Sequence, residues 1–294
     1  MGLFQAKCCA SNWPRAGGMQ AFGRCSLAFL GLLLAAAVFP AMAQTNLVTN
    51  GSFAITGGTT SAQMGPGGTL CTSNNTNCTS TESVAGWSTG SFSSSYNFVY
   101  LPYSASNTNA INGSGYSGTV TLWSPRSNPS SANGFTNASP TGGNFLASDS
   151  DYLTTAVTQT VKNLVVGQTY AVSFVWAAAQ QEGSSFTAAS QDDWQVTLGG
   201  TTQTTPIQAI AGKGFSGWAT QTFDYVATSS SEVLSFLASG ESTSGLPSFA
   251  LLANVSVTQV PEPATWALML SGLASLVVVG RRRRMPNRSV EETV

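Results

Sequence analysis

The stretch Thr169-Tyr170-Ala171-Val172-Ser173-Phe174-Val175-Trp176 places Tyr170, Val172, Phe174 and Trp176 at every second position, with mostly small residues between them. Successive side chains of a strand point to opposite faces, so this period predicts an interior strand with one face on a hydrophobic core. Runs of the same kind are expected at 97–101, 119–123, 156–161, 194–198, 218–226, 232–238 and 249–257. Clusters such as Gly65-Pro66-Gly67-Gly68, Pro140-Thr141-Gly142-Gly143 and Leu198-Gly199-Gly200 separate them and supply turns. No part of this region carries a capped 3.6-residue period. The expected fold is all-β, a jelly-roll or β-sandwich exported domain over 44–259, with the Ser/Thr/Asn/Gly-rich segment 57–80 as an elaborated surface loop.

Charge narrows the chemistry. The 294 residues hold 11 Lys plus Arg, 12 Asp plus Glu and no histidine, and charged residues make up 8% of the chain. Without an imidazole, Ser-His-Asp and Cys-His catalysis and His-ligated zinc are excluded. The near-neutral total hides an uneven distribution. Residues 44–260 contain nine acids and only three bases, Arg126, Lys162 and Lys213, so nothing here would neutralise nucleic-acid phosphates. Cys71 and Cys78 are the two cysteines of this region, and in an exported segment they are expected to be bonded to each other. A metal site is not expected from them, because zinc would need two further ligands.

Both ends read as addresses. Lys7, Arg15 and Arg24 precede an apolar run at 27–39 and then Ala41-Met42-Ala43. That order predicts a signal peptide over 1–43, handled by the Sec translocon and cut by signal peptidase between Ala43 and Gln44. At the other end Pro261-Glu262-Pro263 leads into uncharged residues 264–280, then Arg281, Arg282, Arg283 and Arg284, then a tail, 285–294. As a helix, 264–280 reaches about 25 Å, the short end of a transmembrane span. The arginines would keep the tail cytoplasmic and the bulk of the chain across the membrane.

Pro-Glu-Pro, a short apolar helix and an arginine cluster in that order resemble the PEP-CTERM protein-sorting signal, here over 260–284. The resemblance implies an exosortase that processes the chain near Pro261-Glu262-Pro263. It also implies export through the inner membrane, transient anchoring, and delivery to the cell surface or extracellular matrix, often alongside exopolysaccharide. The tail 285–294 is longer than the family usually has.

A second set of landmarks is similar to galactose-binding-like jelly rolls. These are Asn46-Leu47-Val48-Thr49-Asn50-Gly51-Ser52-Phe53, Gly86-Trp87, Gly143-Asn144-Phe145-Leu146, the run from Thr158 to Leu164 leading to Gly167-Gln168-Thr169-Tyr170, Gly217-Trp218, and 249–257. Members commonly hold a structural calcium with acids at the places where this chain has Ala54 and Ala253. Calcium there, and any other cofactor, is therefore not expected.

Sugar binding needs an exposed ring beside groups that bind hydroxyls. Trp123, Tyr152 and Trp194 lie near Arg126, Asn128, Asp149, Asp151, Asp192 and Asp193, which makes them the stacking candidates, with Asp149 and Asp151 as polar partners. The bland alternative is that these aromatics cap the core, as Trp87, Trp176 and Trp218 are expected to do. Asp149-Ser150-Asp151 has a spacing that also suits glycosidic acid/base chemistry. Asp192 and Asp193 should point to opposite faces of a strand and form no dyad. The expectation is a non-catalytic surface protein that binds polysaccharide. The alternatives are a purely structural or adhesive protein and a carboxylate-dependent glycosidase.

Overall fold

In a computed structural model the described residues are 44–71, 78, 80–104, 110–112, 115–183, 188–242, 248–261, 271–272 and 274–276. Their strands are β1 (Ala62–Met64), β2 (Leu70–Cys71), β3 (Asn97–Tyr100), β4 (Ala110–Asn112), β5 (Gly115–Gly118), β6 (Phe145–Asp149), β7 (Val157–Lys162), β8 (Thr169–Gln180), β9 (Ser190–Leu198), β10 (Thr201–Thr204), β11 (Gln208–Ile210), β12 (Ala219–Val226), β13 (Ser231–Ser242) and β14 (Ser248–Gln259). A seven-stranded sheet runs β12-β8-β14-β6-β3-β1-β2 and faces a five-stranded one, β10-β9-β13-β7 with β11 also on β9, while β4 and β5 form a separate ribbon. The ladders are antiparallel. The described residues therefore form an all-β sandwich.

The period in β8 does what its sequence implies. Tyr170, Val172, Phe174 and Trp176 point between the sheets and meet Trp194, Val196, Leu234 and Phe236 of the other sheet. Phe236 is fully buried, with its ring 5.1 Å from Phe174, 5.9 Å from Trp194 and 6.2 Å from Trp87, so one side chain ties both sheets to the 84–87 loop. Trp87 and Trp176 are core, as expected.

The seven-stranded sheet also buries part of its other face. Phe98, Tyr100, Phe145, Ala147, Ala177, Ala179, Phe249, Leu251 and Ala253 face outward, where Val120, Leu122 and Phe135 cover them, with Phe215 and Trp218 packed alongside. Trp218 is thus partly buried, in this second core. Two expectations are corrected here. Segment 119–123 is not a strand, because Val120 and Leu122 lie across the sheet as cover and the segment pairs at the isolated bridge Leu122↔Gln181. Segment 57–80 is more than a loop, because it supplies β1 and β2, and Ala62, Met64 and Leu70 enter the main core. The rest of the outward face, nearer the start of β8, stays open and carries Ser173, Thr220, Thr222 and Thr258.

At the opening turn the Asn50 side chain accepts from the Ala54 N–H and donates to the Ala54 carbonyl, at 2.7 and 2.9 Å. Gly51 lies so close to the backbone of Val255 that a β-carbon there would collide with its carbonyl, which fixes this turn against the last strand. Cys71 and Cys78 are disulfide-bonded with their Cα atoms 4.7 Å apart. The proposed signal peptide with Ala43, the residues Glu262, Pro263 and Arg281–Arg284, and the tail 285–294 lie outside the described residues, as does most of 264–280. Among the described residues no helix is long and apolar enough to cross a membrane.

Removing the Phe236 ring leaves a cavity that three neighbouring rings cannot all collapse into. Phe236→Ala should lower the unfolding free energy by about 3–5 kcal/mol, read from urea denaturation.

Candidate functional site

The end of the sandwich away from Val260 gathers the termini of several strands, and a polar rim forms there. Its first part is the C-terminus of β8. The Trp123 N–H donates to the Gln180 carbonyl at 2.9 Å, and Gln180 Oε1 accepts the Lys213 N–H at 2.6 Å. Asn133 Nδ2 donates to the carbonyls of both Trp123 and Lys213, at 2.8 and 3.0 Å, and locks the two loops together. Lys213 Nζ thereby sits 4.8 Å from the centroid of the Trp123 ring, a cation–π contact. Glu182 lies beyond it, with Oε1 accepting from Asn128 Nδ2 at 3.4 Å and Oε2 buried without a partner.

The rim continues through Ser248, which pairs with Gln180 in the ladder. Ser150, just past the end of β6, donates to the Asp192 carboxylate and is 2.6 Å from the Ser248 hydroxyl. Asp192 belongs to the five-stranded sheet, and Ser150 and Ser248 to the seven-stranded one. The three side chains therefore bolt the sheets together at this end. Asp192 is 1% exposed and its Oδ2 has no partner. Burial raises its pKa to about 7. The serine hydrogen bonds pull it down, and the charges of Asp149 and Asp193 push it up.

Asp149 has another task. Its carboxylate accepts the backbone N–H groups of Asp151, Tyr152 and Leu153, each at 2.9 Å, which shapes the turn after β6. Burial raises its pKa against those three bonds. The turn carries Asp151 into solvent and presents the Tyr152 ring 61% exposed, backed by Tyr96 with ring centroids 6.1 Å apart.

Trp123, Asp149, Asp151 and Tyr152 thus belong to one rim, but with unequal access. Tyr152 has a free ring, whereas Trp123 is 4% exposed beneath Lys213. Trp194 is corrected: it is fully buried between the sheets and donates from Nε1 to the Leu251 carbonyl at 3.2 Å, so it has no face for a ligand. Arg126 sits over the ring of Tyr103, 5.1 Å from its centroid, rather than beside Trp123. Asp192 and Asp193 take opposite sides of β9. Lys213 and Gln180 had not been singled out, although Lys213 is one of three bases in 44–260 and stands between two glycines. Among the described residues no group of three His, Cys, Asp or Glu residues could hold a metal.

The class defined so far is a two-sheet β domain with a polar, aromatic-bearing rim at one end. Residues 259–284 match the PEP-CTERM protein-sorting motif. No curated protein matches the sequence. Three solved structures similar to this chain are each 14% identical to it. One is TmCBM61 in complex with β-1,4-galactotriose, where the match covers 48% of this chain and 82% of that one with a TM-score of 0.30. Another is the CBM22-1 xylan-binding domain from Paenibacillus barcinonensis Xyn10C, with 56% and 94% covered and a TM-score of 0.28. The third is the N-terminal cellulose-binding domain from Cellulomonas fimi β-1,4-glucanase C, with 40% and 80% covered and a TM-score of 0.26. These likenesses assign no ligand to this chain.

Asp192 makes stability depend on pH in a stated direction. Its folded pKa of about 7 lies above the ordinary carboxylate value of 3.8, so the unfolded chain releases the proton first. Its contribution is fully present below about pH 4 and is lost as pH rises to about 7. Over that window the parent should lose up to about 4 kcal/mol relative to Asp192→Asn, measured by denaturation at each pH, with a flat difference outside it.

Proposed function

We propose that the chain is made with a signal peptide over 1–43, is held briefly by a membrane helix at 264–280, and is processed by an exosortase beside Pro261. The jelly-roll domain, 44–259, then acts at the cell surface or in the extracellular matrix by binding polysaccharide without turning it over. The rim is the binding site. What carries this reading is Tyr152: a large ring left mostly in solvent, held by a turn that three hydrogen bonds to Asp149 make rigid. Its flat face suits a sugar ring, and Asp151 beside it suits sugar hydroxyls.

The glycosidase alternative finds little support in the same geometry. Such an enzyme needs two reachable carboxyl groups about 5–10 Å apart across the sugar. Asp149 is occupied by its turn, and Asp192 is closed off between the sheets.

In affinity electrophoresis against the exopolysaccharide of the producing cell, Tyr152→Ala should weaken retention about 5–10-fold at unchanged melting temperature. Retention equal to the parent's, or none in either protein, would remove the rim as a sugar site and favour a purely structural or adhesive role. The mass of the surface form checks the sorting step: it should lack Arg281–Arg284, and an intact chain at the surface would contradict processing.

A further inference from the structure

The opposite end of the sandwich has a contrary character. It is built from residues 44–50, 163–169, 225–231 and 254–261, which contain no charged residue, although Lys162, Asp224, Glu232 and Glu262 directly adjoin them and Lys162 and Asp224 are exposed. Three valines stand out there, Val165, Val166 and Val226, at 54%, 62% and 58% exposure. The backbone holds them together. Val226 is the ladder partner of Thr169, the Gly167 N–H donates to the Ala227 carbonyl at 2.8 Å, and the Ala227 N–H donates to the Gln168 carbonyl at 2.9 Å. The Tyr170 hydroxyl accepts the Val165 N–H at 2.8 Å and sets the loop that carries Val165 and Val166.

Thr169 has a second neighbour. Its carbonyl accepts the N–H of Val260 at 2.8 Å, so the chain leaves the domain two strand spacings, about 10 Å, from Val226. From Val260 to Ala264, where the uncharged run begins, the backbone spans at most about 14 Å. A membrane helix starting there would hold this end of the sandwich against the lipid surface.

We propose that the valine tip is a membrane-contacting surface. While 264–280 anchors the chain, Val165, Val166 and Val226 enter the lipid interface, and Lys162, exposed at the base of the same loop, meets anionic headgroups. The domain stands on the bilayer, and the polar rim is held away from it by the length of β14, about 36 Å over its 12 residues. The inference rests on the reading of 264–280 as a membrane span.

The test uses the full chain in vesicles of phosphatidylethanolamine and phosphatidylglycerol. Cys8, Cys9 and Cys25 are replaced by Ser, and Cys71–Cys78 stays bonded. A nitroxide is placed on Val166→Cys or, as an aqueous reference, on Asp151→Cys. Power saturation with oxygen and with an aqueous nickel chelate should give an oxygen-to-nickel accessibility ratio at least fivefold higher at 166 than at 151, in a chain that resists carbonate extraction. Equal ratios in a carbonate-resistant chain would overturn the tip and leave the anchor standing. A chain released by carbonate would overturn both. Shielding at 166 that grows with the protein-to-lipid ratio would assign the valines to a second copy of the chain and overturn the proposal as well.

Discussion

Along β3, β6, the first half of β14 and the last turns of β8, the seven-stranded sheet is dry on both faces, and the remaining architecture follows from that constraint. A strand packed on both sides cannot alternate apolar with polar residues, so β14 reads Phe249-Ala250-Leu251-Leu252-Ala253 without a break. Something must then cover the outward face, and the segment through Val120, Leu122 and Phe135 does so. Where the cover rests on β8, the strand is Ala177-Ala178-Ala179, small enough on both faces to let the cover and the opposite sheet approach. With much of the broad face closed, the exposed Tyr152 ring and the polar rim lie at the end of the sandwich rather than across it. Asp192, Ser150 and Ser248 hold the sheets in register where that rim is built.

Much of this was legible in the chain itself. The period of β8 announced its own inner face, and β13 and β14 were expected close to where they lie. The error at Trp194 was avoidable, because it shares parity with Val196 and Leu198 on β9 and so points inward with them. Asp192 has the same parity, which explains how a carboxylate came to be buried. Segment 119–123 misled for a different reason. Its β-branched and aromatic residues fit a pleated strand and equally fit a cover laid across one, and only the partner decides between them. Lys213 over Trp123 joins positions far apart in sequence through Gln180 and Asn133, and no local pattern reports such a contact.

The two ends of the sandwich divide the chemistry. Asp149, Asp151, Glu182, Asp192, Asp193, Glu241 and Lys213 lie at or near the rim, while the end from which the sorting segment leaves carries fewer charges, with Lys162 and Asp224 exposed at its border. Of the two acids nearer that second end, Glu232 is buried and accepts from the N–H groups of Thr228 and Ser229, while Asp224 is exposed on β12. A domain polarised in this way suits a chain that is tethered at one end and meets its surroundings at the other.

The central claim is that binding occurs at the rim and not on the open part of the seven-stranded sheet. Hydrogen exchange of the mature domain with and without the producer's exopolysaccharide decides it. The account predicts added protection at 150–153 and 212–214, with none at 171–173, 220–222 or 256–258. Protection confined to those three strand segments would contradict it.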